Sequence, residues 1–82
     1  MKIVVHYHAF LREKLGRESE LFAFSEESVD AGRVLDAFFE KHPEFARLSH
    51  GLKIAVDEEI VERGALVRDG GRVDLLPPYG GG

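Results

Sequence analysis

An α+β fold, a roll in which one long helix lies across a single mixed sheet, is what this sequence predicts, and three observations carry it. Between residues 28 and 41 the apolar side chains recur with a helical period. On either side of that stretch, short segments alternate apolar and polar residues or run apolar for four or five places. Polar, Gly-rich and Pro-containing turns cut those segments into the order β, β, α, β, β, β. At 82 residues with 44% hydrophobic content, the chain holds one domain and one compact core, with little apolar surface left to wall a deep cavity.

The elements follow in order. Residues 2–9 alternate, with Ile3, Val5, Tyr7 and Ala9 expected to face inward and Val4, His6 and His8 outward. Phe10, Leu11, Lys14 and Leu15 have helical spacing, and Gly16 suits the position just past that short turn. Residues 17–20 turn the chain back, and residues 20–24 alternate Leu21 and Ala23 against Phe22 and Phe24 as a second strand antiparallel to the first. Ser28 is placed as the N-cap of the main helix, with Val29 and Asp30 in its first turn. Ala31, Val34, Leu35, Phe38 and Phe39 then form one stripe at i, i+3, i+4, i+7 and i+8. His42-Pro43 ends the helix, because the residue before proline is pushed out of the helical region. Pro43 opens a short turn through Phe45 and Leu48, closed by His50-Gly51. A third strand covers residues 52–56, Asp57-Glu58-Glu59 is a tight turn, and Ile60-Val61 returns from it. Residues 62–71 are expected to be loop, anchored at Leu66-Val67 and ending in the turn Arg68-Asp69-Gly70-Gly71. Residues 72–76 are the final strand, so the domain spans residues 1–76 and a tail spans 77–82.

The tail carries the functional signal. Pro77 and Pro78 remove backbone donors and fix φ, so the final strand cannot continue and the chain leaves the sheet as a stiff extended segment. Tyr79 follows as an amphipathic anchor for an interface, and Gly80, Gly81 and Gly82 offer bare backbone that a narrow channel admits up to a terminal carboxylate. A carboxylate is a poor electrophile and must be activated, with acyl-adenylation from ATP as the general route. No phosphate-cradling loop lies between a strand and a helix here, so the chain is expected to be the substrate of an adenylating enzyme. The competing reading is a frayed Gly-rich end with no role.

Composition narrows the rest. There is no cysteine, which removes disulfides, thiolate zinc sites, cysteine nucleophiles and a persulfide carried on a side chain. The net charge of −4 and the absence of a basic stripe argue against nucleic acid as a partner. The opening Met1-Lys2-Ile3-Val4-Val5 is unlike a signal peptide, and no apolar run approaches membrane-spanning length, so a cytoplasmic protein without a membrane partner is expected. His6 and His8 stand two apart on one strand face without an obvious third ligand, which favours surface histidines over a metal site. Glu26-Glu27 and Asp57-Glu58-Glu59 read as solvated turns, Arg12-Glu13 as a pair at the solvent edge, and Phe38 and Phe39 as core.

Several segments together resemble a known family. Tyr7-His8-Ala9-Phe10-Leu11-Arg12-Glu13 with Gly16, the hairpin Ile54-Ala55-Val56-Asp57-Glu58-Glu59, the close Asp69-Gly70-Gly71-Arg72-Val73 with Leu75-Leu76-Pro77-Pro78, and the end Tyr79-Gly80-Gly81-Gly82 resemble the MoaD branch of the MoaD/ThiS group of ubiquitin-like β-grasp proteins. Asp57 stands where that family has Asn, Gly71 where it has a second acidic residue, and Gly80 adds a glycine before the terminal pair. The resemblance implies a β-grasp fold and the role of sulfur-carrier small subunit of molybdopterin synthase. On that reading a ubiquitin-activating-like enzyme adenylates Gly82 with ATP and Mg, a sulfur donor protein converts it to a thiocarboxylate, and the large synthase subunit receives the tail. Gly80 and Gly81 thread the partner's channel, and Leu76, Pro77, Pro78 and Tyr79 contact its surface. The chain itself binds no cofactor or metal, and catalytic side chains belong to the large subunit. Related sulfur carriers for tRNA thiolation, thiamine or amino-acid biosynthesis, a ubiquitin-like protein modifier, and a passive binding module remain as alternatives.

Overall fold

The computed structural model describes residues 1–78, so Tyr79, Gly80, Gly81 and Gly82 lie outside the described residues. Strand β1 (Lys2–Tyr7) leads through helix α1 (Ala9–Leu15) into strand β2 (Ser19–Ala23), which pairs antiparallel with it. A two-residue strand β3 (Val29–Asp30) precedes helix α2 (Ala31–Lys41), and a 3₁₀ segment (Pro43–Leu48) follows. Strands β4 (Lys53–Val56) and β5 (Glu59–Val61) form a hairpin, β6 (Leu66–Val67) pairs with β3, and β7 (Arg72–Leu76) closes the fold. The five-stranded sheet has the order β2-β1-β7-β4-β5, with β7 parallel to β1 and antiparallel to β4. A parallel pair cannot be joined by a tight turn. The long route from β1 to β7 through α2 supplies the crossover and gives the mixed, β-grasp sheet expected from the sequence.

The core lies between the sheet and α2. Ile3, Val5, Tyr7, Phe22, Ile54, Val73 and Leu75 face Val34, Leu35 and Phe38, all of them buried. Phe38 is the hub, with its ring centroid 5.7 Å from that of Tyr7 and 5.9 Å from that of Phe45. Phe39, predicted as core alongside it, is half-buried and packs edge-on against Phe38 at 5.3 Å. The buried stripe is thus narrower than the sequence suggested, and Phe45 and Leu48 of the 3₁₀ segment add to the core beside it.

Three further expectations are corrected. Strand β1 ends at Tyr7, and Ala9, expected to face inward, is exposed at φ 52° as the first residue of α1. The main helix is capped by Asp30 instead of Ser28: the Asp30 carboxylate accepts from the Arg33 amide at 2.8 Å. Val29 and Asp30 are held extended because they pair with Val67 and Leu66, in a stretch expected to be only an anchored loop. The amides of Ala31 and Gly32 then donate to the carbonyls of Ala65 and Arg63, each at 2.8 Å. Helix amides that have no intrahelical partner are thus satisfied by a segment thirty residues downstream.

A buried carboxylate ties the far end of α2 to the sheet. Glu20 on β2 faces inward, where its Oε1 accepts from the Tyr7 hydroxyl at 2.6 Å and lies 2.9 Å from His42 Nε2. Its Oε2 lies 2.6 Å from Lys41 Nζ and 3.0 Å from Arg17 Nη1. Burial alone would raise this carboxyl, but the hydrogen bonds from Lys41, Tyr7 and His42 prevail and hold it down to about 2. The same arrangement pushes the Tyr7 hydroxyl up, through burial first and the bond to Glu20 second.

Candidate functional site: the root of the tail

The tail leaves from β7, a central strand held on both sides. Val73 and Leu75 are fully buried on its inner face, so the strand that launches the tail is anchored in the core. Its final residue, Leu76, stands opposite Lys53 of β4, and Leu76, Pro77 and Pro78 are all half-buried. The three interface residues predicted before Tyr79 therefore sit together along the end of β4. The four residues predicted to meet the partner's active site, Tyr79, Gly80, Gly81 and Gly82, lie outside the described residues.

On the outer face of the sheet, beside this root, Asp74 is buried beneath Arg72 and His8. Arg72 donates through Nε to Oδ2 at 3.0 Å and through Nη2 to Oδ1 at 2.9 Å, and His8 Nε2 lies 2.7 Å from Oδ1. The Arg72 hydrogen bonds, against the opposing effect of burial and with help from His8, bring Asp74 down to about 2. His8, expected simply to face outward from a strand, sits instead at the N-cap of α1 and spans to β7. Among the described residues no group of three or more His, Asp or Glu side chains is arranged to hold a metal ion.

Around Asp74 the face carries exposed apolar side chains. Val4 and Leu21 are cross-strand partners and both exposed, and Ile60 stands exposed opposite Ala55 at the other edge. A depression of about 270 Å³ lies between α2 and the β4–β5 hairpin, with Leu35, Gly51, Leu52, Ile54 and Ile60 among its lining. That volume falls below the usual range for a site that encloses a small molecule. The hairpin beside it turns at Asp57 and Glu58, at φ 48° and 73°, with the Asp57 carboxylate accepting from the Arg72 amide at 3.2 Å. The Asp at that turn serves the left-handed geometry as expected.

The chain has no cysteine, and the Tyr7 hydroxyl is buried against Glu20. What the arrangement offers is a rigid launching strand, a proline-stiffened exit and an apolar face. Two features of it escaped the sequence reading. The Asp74 cluster had one faint signal, the alternation Arg72-Val73-Asp74 in an otherwise apolar strand, while the contact of Gly51 with the tail had none.

Residues 5–82 match the ThiS family. The chain belongs to that family. No curated protein matches it in sequence. Its fold is shared with small archaeal modifier protein 1 (SAMP1) of Haloferax volcanii, at TM-score 0.83 and 21% identity over 100% of both chains. It is shared equally with a putative molybdopterin converting factor subunit 1 from Pyrococcus furiosus, at TM-score 0.82 and 22% identity over 96% of this chain and 99% of that one. A complex of subunits 1 and 2 of the molybdopterin-converting factor from Helicobacter pylori contains a further likeness, at TM-score 0.67 and 19% identity over 100% of both chains. The ThiS-family chain thus shares its fold with a small archaeal modifier protein and with subunit 1 of molybdopterin-converting factors. No helix among its described residues is long and apolar enough to cross a membrane.

Proposed function

We propose that this ThiS-family chain is the sulfur-carrier small subunit of a molybdopterin synthase, with Gly82 as the group that carries sulfur. The observation that carries this reading is the Pro77-Pro78-Tyr79-Gly80-Gly81-Gly82 end on a central, core-anchored strand, in a chain that matches the ThiS family over residues 5–82. An adenylating enzyme using Mg-ATP joins a carboxylate oxygen of Gly82 to the α-phosphorus and releases pyrophosphate. A donor persulfide then attacks the acyl carbon and displaces AMP to give an acyl disulfide, and a second thiol reduces it to the thiocarboxylate while forming a disulfide with the donor; sulfide itself gives the thiocarboxylate directly. Glycine suits both steps, since its carbonyl has no side chain to block attack. Gly80 and Gly81 thread the large subunit's channel, and Leu76, Pro77, Pro78 and Tyr79 rest on its surface. There the sulfur passes to a pterin precursor.

Intact mass spectrometry tests the reading. The protein is incubated with a candidate adenylating enzyme, Mg-ATP and sulfide, then with a thiol-alkylating reagent. Because there is no cysteine, a single alkylation that disappears when Gly82 is deleted places a nucleophilic sulfur at the tail. Absence of adenylate, thiocarboxylate and adduct, with an enzyme that works on its own carrier, counts against it. The fold shared with SAMP1 keeps a second reading in view, a protein modifier whose Gly82 forms amides with lysines. Gly82-dependent high-mass conjugates in a lysate blot favour that modifier, and their absence favours the carrier.

A further inference from the structure

The register that pairs Lys53 with Leu76, Ile54 with Leu75 and Ala55 with Asp74 sets Pro78 opposite Gly51 when continued two places beyond β7. Proline has no amide to donate, so the ladder cannot hold the tail there by the usual hydrogen bonds. Packing holds it instead. A β-carbon placed on Gly51 would lie 2.9 Å from Pro78 Cγ, closer than non-bonded carbons approach, and would touch its Cβ at 3.4 Å. The proline ring occupies the space that any other residue at position 51 would fill.

Backbone conformation does not demand glycine at this position. Gly16 and Gly70 have positive φ, at 69° and 75°, whereas Gly51 does not. Nor can Gly51 easily retreat. Its amide donates to the Leu48 carbonyl at 2.9 Å, the Leu52 amide donates to the same carbonyl at 2.9 Å, and the Leu52 side chain is buried. Volume added at position 51 must therefore displace the Pro78 ring.

We propose that Gly51 is the positioning residue of the tail: its missing side chain is a notch that seats the Pro78 ring and sets the direction in which the chain leaves the domain. The consequence for activity rests on the carrier reading above. Seating the Pro78 ring fixes the root from which the tail starts, which lowers the ordering cost of an encounter with an activating enzyme. Filling the notch turns the exit while leaving the core untouched.

The test compares the full-length wild type with Gly51→Val, Pro78→Ala and the double variant. In the wild type, nuclear Overhauser contacts join the Gly51 α-protons to the Pro78 ring. In Gly51→Val the Tyr79 amide resonance moves while those of Val73 and Leu75 stay in place. With an activating enzyme proven on its own carrier, kcat/KM for adenylation of Gly51→Val falls by about 10- to 100-fold, the loss expected of a misplaced reacting group. In the Pro78→Ala background the same substitution costs less than about 3-fold, because the ring it displaced is gone. A purely structural role for Gly51 would give equal losses in both backgrounds, tracking the folded fraction, and would overturn the proposal. So would an absent Gly51–Pro78 contact in the wild type, or Gly51→Val adenylated as well as the wild type. A wild type that shows the contact and the Gly51→Val displacement but is never adenylated keeps the seat and sinks the carrier reading.

Discussion

Glu20 shows what single side chains do in a domain this small. Its carboxylate receives Tyr7, His42, Lys41 and Arg17 at 2.6–3.0 Å and joins β1, β2 and the end of α2. Glu20→Gln keeps one acceptor oxygen but removes the charge that holds the cations, at a cost of about 2 kcal/mol, or a thermal midpoint lower by roughly 10 °C. The pH dependence has a definite sign. The folded carboxyl sits at about 2, below its ordinary 4.5, so its stabilisation is complete above the ordinary value and is lost as pH falls toward the folded one. Urea melts should therefore show the gap between wild type and Glu20→Gln narrowing from about pH 5 to about pH 2. A gap that stays constant would mean that the charge contributes nothing. At the β4–β5 turn, Glu58 holds φ 73° with a side chain that disfavours it. Glu58→Gly should raise stability by about 0.5–1 kcal/mol in a thermal melt, whereas Asp57, whose carboxylate bonds the Arg72 amide, should not tolerate removal of its side chain as well.

The start of α2 depends on two elements at once. Asp30 caps the helix through the Arg33 amide while its backbone pairs with Leu66, and carbonyls of residues 63 and 65 receive the next amides. Asp30→Ala should lower stability by about 1 kcal/mol in denaturant melts, while Ser28→Ala, at the position the sequence favoured as cap, should stay within about 0.5 kcal/mol of wild type. Equal costs at both positions would return the cap to Ser28. Local rules chose Ser28 because a hydroxyl before an apolar, acidic turn is a good N-cap. They could not see that a strand of two residues, too short to register as alternation, would hold Val29 and Asp30 extended.

For the molecule as a whole, the core cluster of the described residues runs from Ile3 to Leu75. Truncation after Pro78 should leave the thermal midpoint within about 2 °C of full length while abolishing adenylation; a larger fall would give the tail a structural role. The helix α2, the strands β1, β2, β4, β5 and β7 and the turns at Asp57-Glu58 and Gly70 were legible in the amino-acid sequence, because each is set by neighbours within a few residues. Periodicity and turn chemistry are local physics. Tertiary structure alone decided the rest. Glu20 lies 22 positions from His42, His8 lies 66 from Asp74, and Gly51 meets Pro78 only because β4 and β7 share a register. Whether a polar side chain is buried, and whether a glycine is empty space or a seat, depends on which distant segment arrives beside it, and that is set when the whole sheet closes around the helix.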